Sequence, residues 1–263
     1  MTAPALPPPT AALPSGAAIP LLGFGTWQLT GRAATEATAS ALAVGYRHVD
    51  TATMYRNERE VGAAVRDSGL ARDEVFVTTK LPPDQAGPAR STLEQSLELL
   101  GLDHVDLWLI HWPPPADKGL ELWRAFLQAQ DDGLVRDVGV SNYSLEGLDA
   151  LTQATGVTPA VNQIKWSPLR FDAALLAGHH DRGVVVEGYS GLKGGTMEQP
   201  VVTGIAARIG CSPAQVLVRW QLDHGVVAIP KSANESRIRE NADVGAVTLT
   251  PEDMAALDAL AGS

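Results

Sequence analysis

The sequence predicts an α/β fold, a (β/α)8 TIM barrel that residues 1–263 form as one domain. Short apolar runs rich in Val and Ile alternate with amphipathic stretches along almost the whole chain. Such alternation with short connections predicts parallel strands joined by right-handed crossovers. Eight strand-like runs in about 250 residues fit a closed barrel better than an open sheet. No break in composition indicates a second domain.

The eight predicted strands are bounded by Gly, Pro or polar residues. In chain order they are 21–26 (LLGFGT), 46–50 (YRHVD), 75–80 (VFVTTK), 105–112 (VDLWLIHW), 134–142 (LVRDVGVSN), 159–163 (PAVNQ), 184–190 (VVVEGYS) and 226–232 (VVAIPKS). Residues 1–18 form a leader rich in Pro and Ala, which we expect to be partly disordered. We also expect a short N-terminal hairpin that caps the bottom of the barrel.

The stretches between the strands have helical periodicity. In 90–101 (RSTLEQSLELLG), three leucines recur at spacings of four and three before Gly101 ends the pattern. In 57–69 (NEREVGAAVRDSG), Asn57 is a candidate N-cap and Gly69 a candidate C-terminal stop. Residues 212–225 (SPAQVLVRWQLDHG) end in the same way.

Composition limits the function. The formal net charge of −10 opposes binding to nucleic acid or to anionic lipid surfaces. With Cys211 as its one cysteine, the chain forms no intrachain disulfide, and its N-terminus has no signal-peptide pattern. No run approaches the length of a membrane span. We therefore expect a cytoplasmic protein. A monomer is expected rather than an oligomer, although nothing in the sequence specifies the oligomeric state.

A doubly wound nucleotide-binding fold is the structural alternative, but its glycine fingerprint is missing. Gly23 and Gly25 are followed by Gln28 where a third glycine belongs, and no P-loop pattern is present. A metal-dependent barrel hydrolase is disfavoured as well, because the strand ends carry no His-x-His motif or clustered carboxylates.

Polar residues end the predicted strands. Asp50, Lys80, His111 and Ser141 follow one another at intervals of about 30 residues, the length of one βα unit. Asn142 ends the same strand as Ser141, and the later strands end with Asn162–Gln163, Tyr189 and Lys231. The carboxyl ends of parallel strands meet on one face of a barrel, and that face carries active sites. We therefore expect these side chains to converge around one mouth.

Each of these residues alone also has a structural explanation. Asp50 could cap a helix, Lys80 could be a surface lysine, and Tyr55 a packed aromatic. A lone buried histidine such as His111 is often a hydrogen-bonded structural group. However, Lys80 and His111 continue inward-facing rows of their strands, where an unpaired polar side chain is costly. Their joint placement favours a functional site.

Six motifs occur in the order typical of the aldo-keto reductases, and the sequence resembles this family from about residue 21 to about residue 258. They are GYRHVDTATMYRNEREVGAAVRDSG, VFVTTKL, LGLDHVDLWLIHWP, GLVRDVGVSNY, AVNQIKWSPL and IPKSANESRIRENADV. The similarity is greatest to bacterial 2,5-diketo-gluconate reductases.

The resemblance implies a role for each residue that matches a family motif. Tyr55 corresponds to the proton donor, Lys80 and Asp50 to the ion pair beside it, and His111 to the histidine that orients the substrate carbonyl. The Lys80 ammonium is expected to lower the pKa of Tyr55, Asp50 to hold Lys80 charged, and His111 to be neutral. Proton transfer from Tyr55 would accompany hydride transfer from a nicotinamide.

The resemblance also implies NADPH as the cofactor. Its expected contacts run from the nicotinamide to the adenosine 2′-phosphate: Thr26, Ser141, Asn142, Gln163, Tyr189, Ser190, Leu192, Glu240, Asn241, Lys231, Ser232 and Arg237. Lys231, together with Arg237 on a helix started by Asn234, would favour NADPH over NADH in so acidic a chain. No metal ligand set is expected. A barrel that binds the cofactor for regulation, with little turnover, is the alternative function.

Departures from the family pattern concern the substrate, a small molecule with a carbonyl group. The loop after His111 is short, Pro82 stands where relatives often have tryptophan, and the chain ends soon after its last amphipathic stretch. We expect an open pocket walled by Trp27, Met54 and Trp112, which accepts varied carbonyls. Gly191 stands where proline is common and would loosen the pyrophosphate loop.

Overall fold

Eight parallel strands form the centre of the protein, for which we describe a computed structural model over residues 9–85 and 87–262. They are β3 (Phe24–Gly25), β4 (His48–Asp50), β5 (Phe76–Leu81), β6 (Val105–Ile110), β7 (Val135–Ser141), β8 (Val161–Lys165), β9 (Val185–Tyr189) and β10 (Val227–Ala228), after a hairpin of β1 (Thr10–Ala12) and β2 (Ala18–Pro20). Each barrel strand pairs with its successor in sequence. The predicted strands are confirmed, with ends shifted by a few residues.

The sheet closes into a barrel between its first and last strands. A parallel bridge joins Leu22 to Ala228, and the Gly25 amide donates to the Pro230 carbonyl at 3.2 Å. A Cβ atom on Gly25 would lie 2.7 Å from the Ile229 carbonyl oxygen, so only glycine allows this approach. The predicted (β/α)8 barrel is thereby confirmed.

Helices follow the strands and surround the barrel. They are α1 (Gly31–Val44), α2 (Glu58–Arg66), α3 (Ala89–Leu100), α4 (Ala116–Asp131), α5 (Leu145–Thr155), α6 (Ala173–His180), α7 (Pro200–Ile209), α8 (Pro213–Asp223), α9 (Glu235–Ala242) and α10 (Pro251–Asp258). In the described part of the chain no single helix is long and apolar enough to cross a membrane; the pair α7 and α8, bent by 97°, meets the length and composition criteria only together.

Strand alternation separates two apolar layers. Leu107 and Leu109 of β6 belong to the core inside the barrel, whereas Trp108 and Ile110 pack outward under the helices. The Trp108 ring stacks on Phe126 of α4, with 3.6 Å between the ring centroids. The strands are therefore buried on both faces, which is why they are nearly continuous apolar runs in the sequence.

The expected N-terminal hairpin is present as β1 and β2. Leu13 and Ile19 bury its inner face against the barrel core, and the Ser15 backbone and hydroxyl both donate to the Asp137 carboxylate near the start of β7. The hairpin thus covers the amino ends of the strands. Residues 1–8 of the predicted leader lie outside the described residues, and residues 10–12 and 18–20 are strand.

Asn57 occupies the expected N-cap position of α2, but the expected capping hydrogen bond is wrong. Its side chain makes no capping hydrogen bond. Its amide donates to the carbonyls of Thr26 and Leu29 at 3.0 and 2.9 Å, and its oxygen accepts from the Thr51 hydroxyl at 2.6 Å. Asn57 therefore ties β3 to the turn after β4. The helix ends at Arg66, before Gly69.

Candidate active site

A cleft of about 840 Å³ opens at the carboxyl ends of the strands. The site residues predicted from the sequence line it, with two exceptions: Asp50, Tyr55, His111, Ser141, Asn142, Gln163, Tyr189, Ser190, Leu192, Lys231, Ser232, Arg237, Glu240, Asn241, Trp27, Met54 and Trp112. The exceptions are Lys80, which is buried beneath the cleft, and Thr26. Strand ends far apart in sequence thus converge on one mouth.

Asp50, Lys80 and Tyr55 form a chain of contacts at the bottom of the cleft. The Lys80 ammonium lies 2.6 Å from the Asp50 carboxylate and donates to the Thr51 carbonyl at 2.9 Å. It also donates to the Tyr55 hydroxyl at 3.4 Å and lies 4.9 Å from the centroid of the tyrosine ring. Lys80 is fully buried and Asp50 is 2% exposed, so this pair is shielded from solvent.

The turn between Asp50 and α2 places Tyr55 over Lys80. Thr53–Tyr55 form one 3-10 turn, and Arg56 leaves it with a φ of 54°. The Thr53 hydroxyl donates to the Lys80 carbonyl at 2.9 Å, which holds the turn against β5. Thr26 is buried below this turn, and its hydroxyl donates to the Asp50 carbonyl at 2.9 Å, so it supports the strand end rather than lining the cleft.

Burial and neighbouring charges act in opposite directions on the pKa values of the Lys80 ammonium and the Tyr55 phenol. Burial disfavours the Lys80 ammonium, but Asp50 and Tyr55 outweigh it and raise the pKa of Lys80 to about 12. Burial raises the pKa of Tyr55 above its usual 10, while Lys80 lowers it. Lys80 therefore acts on the tyrosine in the expected direction, but the expected net decrease of the Tyr55 pKa is wrong because desolvation outweighs the ammonium.

His111 lies just beyond the end of β6, across the cleft floor from Tyr55. Its ring packs edge to face against the Tyr55 ring, with the centroids 5.8 Å apart. Burial, together with the positive charge of Lys80, lowers the pKa of His111 from 6.5 to about 3. The neutral imidazole expected from the sequence follows from this. Its Nδ1 is buried without a hydrogen-bond partner among the described residues.

The residues expected around a nicotinamide are linked to one another. The Tyr189 hydroxyl donates to the Asn142 side-chain oxygen at 2.9 Å, and the Asn142 amide donates to the Ser141 hydroxyl oxygen at 2.9 Å. The Gln163 amide donates to Asp50 at 2.9 Å. Asn142 and Ser190 have φ values of 62° and 60°, so both strands are followed by a non-glycine residue in the sparsely populated left-handed region.

The cleft lining includes the cations Lys231 and Arg237. Helix α9 begins after Asn234, whose side chain accepts from the Arg237 backbone amide at 3.1 Å, and this helix presents Arg237 beside Lys231. In the described part of the chain, neither cation has a carboxylate within ion-pair distance. Burial and the charge of Lys231 lower the pKa of Lys193, which also lines the cleft.

Large apolar side chains surround the mouth. Trp27, Met54 and Trp112 are 47%, 56% and 44% exposed, which makes them the most exposed large apolar side chains of the described residues. The Lys193 ammonium lies 4.0 Å from the centroid of the Trp27 ring, so the loop after β9 reaches across to the loop after β3. Lys193 carries no motif that would have identified it from the sequence.

A second buried carboxyl group, which the sequence reasoning missed, lies below the cleft. Glu187 of β9 is fully buried, and its Oε1 lies 3.8 Å from the Nε2 atom of His48 on β4. Burial and Asp50 raise the pKa of Glu187 to about 8, whereas burial and Lys80 lower the pKa of His48 to about 3. The sequence could have indicated this group, because Glu187 lies two positions before Tyr189 and so on the same face of the strand.

Comparison with known proteins agrees with this geometry. The model of the aldo/keto reductase family matches residues 21–206 and 199–261. The chain belongs to the aldo/keto reductase family, and it is therefore an oxidoreductase. Among the described residues, no group of three or more His, Cys, Asp or Glu side chains could hold a metal ion.

Relatives of this reductase share about two fifths of its residues. An aldo-keto reductase of Mycolicibacterium smegmatis is 42% identical over 256 residues, which cover 96% of this chain and 93% of the relative. The methylglyoxal reductase DkgA of Escherichia coli strain K12 is 40% identical over 246 residues, covering 92% and 90%.

Solved structures of the family superimpose closely. An aldo/keto reductase from Brucella melitensis has a TM-score of 0.92 at 41% identity, covering 96% of this chain and 99% of its own. A Bombyx mori aldo-keto reductase in complex with NADP has a TM-score of 0.89 at 33% identity, covering 97% and 94%.

Proposed function

We propose that this protein is an NADPH-dependent reductase that converts aldehydes and ketones to alcohols, with Tyr55 as the proton donor. The observation that carries the proposal is the buried chain from Asp50 through Lys80 to the Tyr55 hydroxyl, with the neutral His111 beside it. All four residues meet at the bottom of the cleft. Relatives named as reductases, and family structures that contain NADP, support the reaction class.

Tyr55 would protonate the substrate oxygen. As negative charge develops on that oxygen, the phenol gives up its proton, and the resulting phenolate is stabilised by the Lys80 ammonium at 3.4 Å. Asp50 keeps this ammonium charged and in place. His111 is neutral, so it can donate a hydrogen bond to the same oxygen without competing as an acid.

The cleft residues fit NADPH, which when bound supplies the hydride. Lys231 and Arg237 are cations of the cleft lining without carboxylate partners in the described structure, and they would bind the 2′-phosphate. Asn142 and Gln163 would bind the carboxamide and Tyr189 the nicotinamide ring. The Asn142 side-chain oxygen, which now accepts from the Tyr189 hydroxyl, would then turn to the cofactor.

The pocket at the nicotinamide end would accept varied carbonyl compounds. Its walls are the exposed side chains of Trp27, Met54 and Trp112, which offer apolar area but few fixed polar groups to select one substrate. A compound with two neighbouring carbonyl groups, such as methylglyoxal, is among the candidate substrates, because the relative DkgA is named a methylglyoxal reductase.

Absorbance of the reduced nicotinamide tests the proposal. The purified protein is mixed with NADPH or NADH and with a panel of aldehydes, ketones and dicarbonyl compounds. We expect oxidation of NADPH with several of them, and a lower kcat/KM with NADH. Absence of cofactor oxidation across the whole panel contradicts the reductase, and preference for a single carbonyl by orders of magnitude contradicts the open pocket.

A further inference from the structure

Glu187 is a buried carboxyl group that the reaction proposed above does not use. It is 0% exposed, and within the described residues its oxygens make no hydrogen bond of standard geometry, although the Gln163 side chain lies close enough to lower its pKa. A buried polar group without a partner lowers stability, so such groups call for a functional explanation. Glu187 lies on the strand that ends with Tyr189, directly below the cleft.

The register of the barrel brings Glu187 next to the catalytic ion pair. Glu187 pairs with Gln163 on the neighbouring strand β8, and the Gln163 amide donates to Asp50 at 2.9 Å. On its other side Glu187 pairs with Val227 of β10, which has no charge. Asp50 in turn contacts Lys80 at 2.6 Å. Only one hydrogen-bonding side chain therefore separates the register position of Glu187 from the Asp50–Lys80 pair.

The titratable groups that face Glu187 lie on three other elements. They are His48 and Asp50 on β4, Lys80 on β5 and Tyr55 in the 3-10 turn. His48 is neutral, its Nε2 lying 3.0 Å from the Thr78 hydroxyl, so it does not neutralise a carboxylate. The charges of Asp50 and Lys80 cancel. Ionisation of Glu187 would therefore place one uncompensated negative charge beneath the site.

We propose that Glu187 is a positioning residue of the reductase site, whose proton controls, through Lys80, the charge that the Tyr55 hydroxyl experiences. A neutral Glu187 adds no further negative charge to that of Asp50, so the Lys80 ammonium, 3.4 Å from the Tyr55 hydroxyl, favours the phenolate that forms when Tyr55 gives up its proton. An ionised Glu187 opposes the phenolate and strengthens the hold of Lys80 on its own proton. Both effects have the sign found in the pKa values of Tyr55 and Lys80, which Glu187 raises.

This inference rests on the proposed role of Tyr55, but part of its test does not depend on turnover. The infrared spectrum of the wild-type protein without cofactor should contain the carbonyl stretch of a protonated carboxyl group at pH 7. We expect that band to titrate near pH 8, in line with the pKa of Glu187, and to be missing from Glu187→Gln. If the two spectra are the same at pH 7, Glu187 is ionised and the proposal is wrong.

Stability gives a second readout of the same proton. The pKa of Glu187 rises from 4.5 in the unfolded chain to about 8 in the folded one, so the folded state binds the extra proton between these values. The stabilisation is complete below pH 4.5 and is lost as the pH rises through 8. Between about pH 5 and pH 9, the melting temperature of the wild type should therefore fall relative to that of Glu187→Gln, because only the wild type loses this stabilisation.

The pH profile of reduction tests the action on Tyr55. In the wild type Glu187 is ionised where Tyr55 titrates, and this charge raises the pKa of the tyrosine. In Glu187→Gln the alkaline decrease of kcat/KM should therefore begin at a lower pH, by roughly a few tenths of a unit, because Glu187 is the smallest of the influences on the pKa of Tyr55. The ultraviolet absorbance of tyrosinate in the protein without cofactor should shift in the same direction, and Tyr55→Phe should remove that titration.

Asp137→Asn is the matched control. Asp137 is also a buried carboxyl group inside the barrel, and its pKa is also raised by burial, but it contacts Ser15 of the hairpin at the opposite end. Its removal should lower stability and leave the alkaline limb unchanged. Identical pH profiles and tyrosinate titrations in the wild type and Glu187→Gln overturn the proposal. Full turnover of Tyr55→Phe overturns the proposed function instead, and leaves the infrared and tyrosinate results interpretable.

Discussion

Replacement of Lys80 by methionine perturbs the centre of the site with little change in volume. Lys80→Met removes an ammonium that is fully buried, lies 2.6 Å from Asp50, and donates to the Thr51 carbonyl and the Tyr55 hydroxyl. Among the described residues, Asp50 then keeps only the Gln163 amide as a side-chain partner. The variant therefore carries a buried and uncompensated carboxylate.

The expected cost follows from this geometry. Breaking a buried ion pair by removing one partner lowers the free energy of unfolding by about 3–5 kcal/mol. For a chain of this size, that loss corresponds to a decrease of the melting temperature on the order of 10 °C. Asp50→Asn/Lys80→Met removes both charges, and its loss should be smaller, about 0–2 kcal/mol, because no unpaired charge remains.

Urea unfolding of the two single variants, the double variant and the wild type measures this coupling. The same four proteins are assayed for carbonyl reduction. We expect the double variant to recover most of the stability and none of the activity, with rates about 100-fold or more below the wild type. If the single-variant losses simply add in the double variant, Asp50 and Lys80 do not act as a coupled buried pair. A double variant that recovers turnover contradicts the role of Lys80 beside Tyr55.

Three further substitutions test other parts of the site. Arg237→Ala should raise KM for NADPH by about tenfold or more and change KM for NADH little. The reason is that a charge-assisted hydrogen bond to phosphate contributes about 1.5–3 kcal/mol. Equal changes in KM for both cofactors argue against a 2′-phosphate site. The pKa of His111 is about 3 in the folded protein against an ordinary 6.5, so its contribution to stability is lost as pH falls from 6.5 towards 3. His111→Gln should therefore lose less free energy of unfolding than the wild type between pH 7 and pH 5, as measured by urea titration. An unchanged loss refutes the buried neutral ring. Asn57→Ala removes three buried hydrogen bonds and should lower the free energy of unfolding by about 2–4 kcal/mol. Asn234→Ala, at an exposed N-cap, should lower it by about 1 kcal/mol. Equal losses would mean that Asn57 contributes no more than an ordinary N-cap.

The barrel and three of the four residues at its centre could be predicted from periodicity. Strand alternation placed Lys80 on an inward-facing row, and the repeat of about 30 residues brought Asp50, Lys80 and His111 to one end of the barrel. Such patterns need no knowledge of distances. The ordered motifs then added Tyr55, which lies in a turn and has no periodic signal of its own.

Features that depend on packing could not be predicted. The sequence before α2 is the same whether Asn57 caps the helix or bridges two strand ends, and only the position of β3 decides for the bridge. The sign of the Tyr55 pKa shift depends on how much water the folded barrel excludes, which no spacing expresses. Glu187 looks like an interruption of an apolar strand until the closed barrel brings it beside His48.

The central claim is that the Tyr55 hydroxyl protonates the carbonyl oxygen, and Tyr55→Phe tests it most directly because it removes one oxygen atom and retains the ring. Binding of NADPH is followed by quenching of tryptophan fluorescence, and turnover by nicotinamide absorbance with an aldehyde substrate. We expect NADPH affinity within a few-fold of the wild type and kcat lower by about 100-fold or more, the contribution of a positioned general acid. A kcat within a few-fold of the wild type contradicts the claim.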